Sequence, residues 1–158
     1  MKLYRNETTT DCTPTAVLNI LKLEGFSIKR NSEEFAKIKE ELGYTPRVGT
    51  FSKTVEKMFR ARGFKVTVRK NITVKTISKY LAKGKKIILS YYDTSPGDAG
   101  HDVVIVGETK NFFITVNEMG TSNLVSRKSK KYYIKCFKMK VNSTFYDYED
   151  VNRFAIII

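Results

Sequence analysis

The chain has 158 residues and a formal net charge of +13, from 29 lysines and arginines against 16 aspartates and glutamates. This length suffices for a hydrophobic core, so we expect a single domain over residues 1–158. Hydrophobic residues make up 41% of the chain, which excludes wholesale disorder. The longest apolar runs, VVIV and FAIII, are too short to cross a bilayer.

The N-terminus and the cysteines indicate a compartment. Residues 1–10 contain no apolar segment of the kind that forms a secretory signal. The two cysteines, Cys12 and Cys136, are too few and too far apart for a disulfide framework. We therefore expect a cytoplasmic protein with reduced thiols and without a membrane segment.

The positive charge is concentrated in segment 51–90, with 12 basic residues and 1 acidic residue, and in segment 127–140, with 7 basic residues and none acidic. Two interpretations stay open. Lysine is a strongly hydrated cation, so the charge can simply keep the surface solvated. It can also form a docking surface for an acidic partner, either a peptide or, less favoured, a nucleic acid.

Four helices are predicted from residue 13 onward. Each has apolar residues three or four positions apart and is followed by a glycine. Ser32 is a suitable N-cap for the second of them. The predicted helices are 13–24, 32–42, 50–62 and 73–83.

Strands are predicted mainly in the second half of the chain, where β-branched and aromatic residues form short runs. The predicted strands are 64–69, 87–92, 102–106, 112–117, 132–139 and 154–158. The polar turn 107–111 predicts an antiparallel hairpin. Helices followed by mostly antiparallel strands predict an α+β fold, with the N-terminal helices packed on one side of the sheet.

Cys12 is a candidate nucleophile because it stands at the head of the first predicted helix. Pro14 suits a first helical turn, where its missing N–H is not needed. The positive end of a helix dipole stabilises a thiolate, the reactive form of cysteine. Cys136 has no second histidine to serve it, so we interpret it as a structural residue.

His101, the only histidine of the chain, opens the predicted strand 102–106 after a glycine-containing loop. From the start of a strand, its side chain can reach the N-terminus of a helix and act as the base that deprotonates a thiol. The paired strand ends in Asn117 and Glu118, and either can orient the imidazole. Neighbours on a strand point to opposite faces, so we expect only one of them to do so.

The order Cys, His, Asn or Asp resembles that of the papain-like cysteine peptidases, and more closely that of the bacteriocin-processing, double-glycine leader peptidases and their stand-alone relatives. The matching residues are DC at 11–12, AVLNIL at 16–21 and GHDVVIVGETKNFFITVNE at 100–118. The resemblance extends over nearly the whole chain. It implies a papain-like fold and cleavage after small residues such as glycine.

The resemblance also assigns an oxyanion-hole amide, which the family supplies as a glutamine six residues before the cysteine. Asn6 occupies that position and is one methylene shorter. Thr13 stands where the family usually has glycine. Glu118 aligns best with the family's orienting aspartate, whereas papain-like enzymes at large favour Asn117, and Met119 replaces the proline that usually follows.

These residues predict a cysteine peptidase or related thiol hydrolase that cleaves a peptide or isopeptide bond. The predicted site residues are Cys12, His101, Asn117, Glu118 and Asn6. One histidine and two distant cysteines cannot form a four-ligand zinc site, and we expect no cofactor. The alternative is a catalytically inactive papain-like protein that holds a protein or nucleic-acid partner on its basic surface.

Overall fold

The computed structural model describes residues 1–8, 10–47, 50, 52–92, 100–118, 122–138 and 153–158. The helices and strands of this part of the chain are α1 (Cys12–Leu23), α2 (Glu33–Glu41), α3 (Ser52–Ala61), β1 (Thr67–Lys70), α4 (Val74–Leu81), β2 (Ile87–Tyr92), β3 (Gly100–Glu108), β4 (Phe112–Val116), β5 (Val125–Ser129), α5 (Lys130–Phe137) and β6 (Arg153–Ile157). No helix within these ranges is long and apolar enough to span a membrane.

Capping groups set the ends of several helices. The Ser32 hydroxyl accepts a hydrogen bond from the Phe35 N–H, one of the groups that the first turn of α2 leaves unpaired. Thr73 does the same for the Thr76 N–H in α4. Gly25 follows α1 with a φ of +93°, a left-handed conformation that glycine adopts without strain. The four predicted helices are therefore confirmed, with bounds that shift by one or two residues.

The strands of the described residues form one sheet in the order β1-β6-β2-β3-β4-β5, and every neighbouring pair is antiparallel. The predicted hairpin of β3 and β4 is confirmed. β2 and β3 lie at the centre of the sheet. In their register His101 lies opposite Tyr91, and Asp102 lies opposite Ser90. This register decides which residues surround the histidine.

The two faces of the sheet pack against different helices, because neighbouring side chains of a strand point to opposite faces. One face, with Ile88 and Val104, forms a core with α1, α2 and α3. The other face, with Leu89 and Val103, forms a second core with α4 and α5. The α+β class is confirmed. The expectation of helices on one side alone is wrong, since the sheet is the middle of three layers.

The predicted strand 132–139 is also wrong. The segment forms α5, and it follows the short strand β5, which the sequence pattern did not reveal. Tyrosine and isoleucine favour strands, which explains the prediction. However, the buried residues Tyr133 and Cys136 are three positions apart and lie on one helical face. The Ser129 hydroxyl caps the helix by accepting from the Tyr132 N–H, and residue 139 lies outside the described residues.

The segment that precedes α1 is fastened to the domain by buried polar side chains. Asn19 of α1 accepts from the Tyr4 N–H and donates to the Tyr4 carbonyl, each at 2.8 Å. Arg30 donates to the Arg5 carbonyl. Arg30 also forms a 2.7 Å ion pair with Asp11, and the two side chains are only 8% and 4% exposed. These contacts hold the residues just before Cys12 in place.

We expect Arg30→Met to lower the free energy of unfolding by about 3–5 kcal/mol, because the substitution leaves the Asp11 carboxylate buried without its cation. Arg62→Met is the matched control. This substitution breaks the ion pair of Arg62 with Glu41, whose side chains are 25% and 47% exposed. We expect it to lower the free energy of unfolding by less than about 1 kcal/mol. Urea unfolding measures both variants, and equal losses would contradict the structural role of Arg30.

Candidate active site

Cys12 is the first residue of α1, one position before the predicted start of this helix at residue 13. The helix is buried from Thr13 to Leu21, so its N-terminus cannot shift along the core. The Cys12 side chain is partly exposed. Its Sγ lies 4.0 Å from the Thr13 hydroxyl. A nucleophile placed there is rigid and remains accessible.

His101 lies at the start of β3 and is 6% exposed. Its Nε2 lies 2.8 Å from the main-chain oxygen of Asn117. A carbonyl oxygen only accepts hydrogen bonds, so Nε2 carries the proton and Nδ1 is left with a lone pair. The ring also packs edge to face on Tyr91, with centroids 6.1 Å apart. The imidazole is thereby held in one tautomer, with Nδ1 as its basic atom.

Asn117 connects His101 to the N-terminal segment. It follows β4 in a left-handed conformation with a φ of +64°. Its Oδ1 accepts from the Asn6 N–H at 3.0 Å, and its Nδ2 donates to the Asn6 Oδ1 at 2.5 Å. Three of the predicted site residues are therefore joined in one chain of hydrogen bonds. The group of Asn117 that contacts His101 is the main-chain carbonyl, because the amide is engaged by Asn6.

Glu118 points to the layer formed by α5. Its two carboxylate oxygens accept hydrogen bonds from the hydroxyls of Tyr91 and Tyr133. Burial and the Glu118 charge raise the pKa of both tyrosines, which keeps these hydroxyls protonated as donors. Because the Tyr91 ring packs on His101, Glu118 also supports the histidine from the side of the second core.

The environment of Cys12 differs from the one inferred from its helix position. Burial raises the pKa of the thiol to about 12, and the negative charge of Asp102 acts in the same direction. The main chain of Asp102 and Thr13 and the Thr13 hydroxyl oppose this rise. A helix dipole favours the thiolate, but desolvation and the neighbouring negative charge oppose it here. No hydrogen bond joins the Cys12 sulfur to the His101 ring.

Asp102 is a site residue that sequence reasoning missed. Its carboxylate is buried and accepts hydrogen bonds from the Ser90 hydroxyl and from the Thr13 hydroxyl, the latter at 2.5 Å. Burial raises the pKa of this carboxyl group. The available signal was an aspartate inside an apolar strand, because buried acidic residues are rare and require specific partners. Within the described residues, no group of three or more potential metal ligands occurs.

We expect Asn117→Gly to be more stable than Asn117→Ala by about 1 kcal/mol. Both variants lose the bonds to Asn6, but only alanine is strained at a positive φ. Ser126 lies in β5 without a positive φ and provides the matched comparison. There we expect Ser126→Gly to be less stable than Ser126→Ala. Urea unfolding of the four variants tests this reversal, and the same order at both positions would contradict it.

No protein-family model and no curated protein matches the chain. Solved structures do. The peptidase domain of Streptococcus ComA, a bi-functional ABC transporter involved in a quorum-sensing pathway, matches with a TM-score of 0.66 and 18% identity, over 99% of this chain and 96% of that chain.

Two further structures show the same likeness. A putative C39-like peptidase from Bacillus anthracis matches with a TM-score of 0.63 and 10% identity, over 94% of this chain and 88% of that chain. The peptidase domain of Streptococcus mutans ComA, in complex with a small-molecule inhibitor, matches with a TM-score of 0.56 and 15% identity, over 100% and 99% of the two chains. The chain therefore has the papain-like α+β fold of the C39 peptidase domains, which confirms the resemblance inferred from its sequence.

Proposed function

We propose that the protein is a cysteine peptidase or a related thiol hydrolase, with Cys12 as its nucleophile. The observation that carries the proposal is the position of Cys12. It begins a buried helix, and its thiol lies beside the start of the strand that carries His101. The likeness to peptidase domains over nearly the full length of the chain supports the same reaction class.

His101 is the proposed base. Its Nδ1 would take the proton of the Cys12 thiol as Sγ attacks the scissile carbonyl, and would then give that proton to the leaving amine. The Asn117 carbonyl accepts from the Nε2–H, so Nδ1 is the atom that takes up and returns the proton. Water would then hydrolyse the acyl-enzyme and return the thiol. No cofactor enters these steps.

Asn6 and the main chain of Cys12 are the proposed oxyanion donors. The Asn6 main chain and Oδ1 are bound to Asn117, whereas its Nδ2 has no hydrogen-bond acceptor among the described residues. The N–H groups in the first turn of a helix also lack intrahelical partners, and the Cys12 N–H is one of them. Two such donors can stabilise the negative charge of a tetrahedral intermediate.

The proposed substrate is a peptide or protein with small residues before the scissile bond. This specificity comes from the resemblance to the double-glycine peptidases. A peptide that carries Gly-Gly before a fluorogenic leaving group is therefore the first substrate to test.

We expect purified protein to cleave the Gly-Gly peptide. We expect Cys12→Ser to abolish cleavage, because the serine hydroxyl is a much weaker acid than the thiol and so does not form the reactive anion. Cys136→Ser is the matched control. It removes the other thiol, which lies in α5, and should retain activity if the protein remains folded. Equal activity of Cys12→Ser and the unmodified protein would exclude Cys12 as the nucleophile.

We expect Asn6→Asp to lower kcat by roughly 10²–10³, the usual effect of losing one oxyanion donor. The substitution keeps an Oδ1 that can accept from Asn117 Nδ2, so the link between the two residues can persist. Steady-state kinetics on the Gly-Gly peptide, together with an unfolding curve, separate loss of the donor from loss of structure. An unchanged kcat would remove Asn6 from the mechanism.

A non-catalytic binding protein is the second candidate. One observation favours it: α4 and α5 pack on the same face of the sheet, and both helices carry exposed lysines. The exposed lysines of these helices are Lys75, Lys79, Lys131 and Lys135. Binding of an acidic partner there would weaken steeply with salt, whereas the chemistry of Cys12 would not.

A further inference from the structure

Asp102 is a buried carboxylate that the proposed reaction does not use. It follows His101 in β3 and is 8% exposed. No lysine or arginine of the described residues forms an ion pair with it. Its two oxygens are bound instead by the neutral hydroxyls of Thr13 and Ser90. A buried carboxylate without a cationic partner is energetically costly, and its charge acts strongly on a neighbouring thiol.

Thr13 places this carboxylate beside the Cys12 thiol. The Thr13 Oγ1 lies 2.5 Å from the Asp102 Oδ2 and 4.0 Å from the Cys12 Sγ, so a single hydroxyl group separates the two acids. The Asp102 carboxylate is buried, so water screens its charge poorly. An ionised thiol and an ionised carboxylate would therefore repel each other strongly.

We propose that Asp102 is a positioning residue that keeps the proton on Cys12 until His101 accepts it. The proposal rests on the role of His101 in the proposed function. With Asp102 ionised, its two oxygens accepting from Thr13 and Ser90, and with His101 neutral, the three groups together carry one negative charge. Transfer of the thiol proton to His101 Nδ1 creates a thiolate and an imidazolium together, so the net charge is unchanged. Loss of the proton to solvent would leave two negative charges.

The groups around the pocket support this charge balance. Cys12 faces Asp102 from α1, and His101 is its neighbour on β3. Among the described residues, these two are the titratable groups that act on the carboxylate. Thr13 from α1 and Ser90 from β2 are neutral donors. The pKa of Cys12 is raised first by burial and then by the Asp102 charge, in the direction that the proposal requires.

The test is the rate of Cys12 alkylation by iodoacetamide as a function of pH, followed by site-resolved mass spectrometry. Iodoacetamide is neutral, so the Asp102 charge does not repel it. We expect Asp102→Asn to move the midpoint of the profile to lower pH by at least about one unit, which is about tenfold in rate at pH 8. A substitution that only opened the site would raise the rate at every pH without moving the midpoint.

Glu108→Gln is the matched control, because it removes the charge of a carboxylate that is bound elsewhere, by Lys130 and Ser78. We expect its Cys12 profile to superimpose on that of the unmodified protein. A double-variant cycle adds a second readout. We expect His101→Gln to slow Cys12 alkylation at pH 7 strongly in the unmodified protein and much less in the Asp102→Asn background.

Superimposable profiles of Asp102→Asn and the unmodified protein would overturn the proposal. If Asp102→Asn does not fold, thiolate absorbance in Cys136→Ser decides instead: a Cys12 midpoint at or below the ordinary thiol value of about 8.5 would overturn it. Alkylation requires no turnover. A protein with the shifted profile but no cleavage would contradict the proposed function alone, and cleavage without the shift would contradict only the role of Asp102.

Discussion

The packing of α1 against β3 is the contact on which the rest of the candidate site depends. α1 is buried from Thr13 to Leu21 and forms one core with the sheet face that carries Val104. This packing fixes the position of the helix. The group at its N-terminus, Cys12, is therefore held at a constant position relative to the start of β3, where a base can serve it.

The histidine is supported from both cores. On the side of α1, the Asn117 carbonyl holds Nε2, and the Asn117 amide is in turn held by Asn6. On the side of α5, Tyr91 packs on the ring and its hydroxyl is bound to Glu118. The two candidate orienting residues thus act in different ways. They sit beyond the end of β4, where the alternation of a regular strand no longer decides which side chain points inward.

Much of the fold follows from local signals. Helix periodicity, the capping hydroxyl of Ser32 and the glycine after each helix predicted four helices to within two residues. The strand predicted at 132–139 was wrong. Tyrosines and isoleucine favour a strand locally, but Tyr133 and Cys136 are buried on one face of a helix. The second helical layer was missed for the same reason, since burial against a particular face of the sheet is a tertiary property.

The sequence by itself determined the class of fold, the helix that follows Cys12 and the pairing of the strand of His101 with its hairpin partner. These depend on residues close together in the chain. Only the tertiary structure decided that a main-chain carbonyl holds His101, and that Asp102 lies beside the Cys12 thiol. Those contacts join residues remote in sequence, and their electrostatic effect depends on burial, which no local pattern encodes.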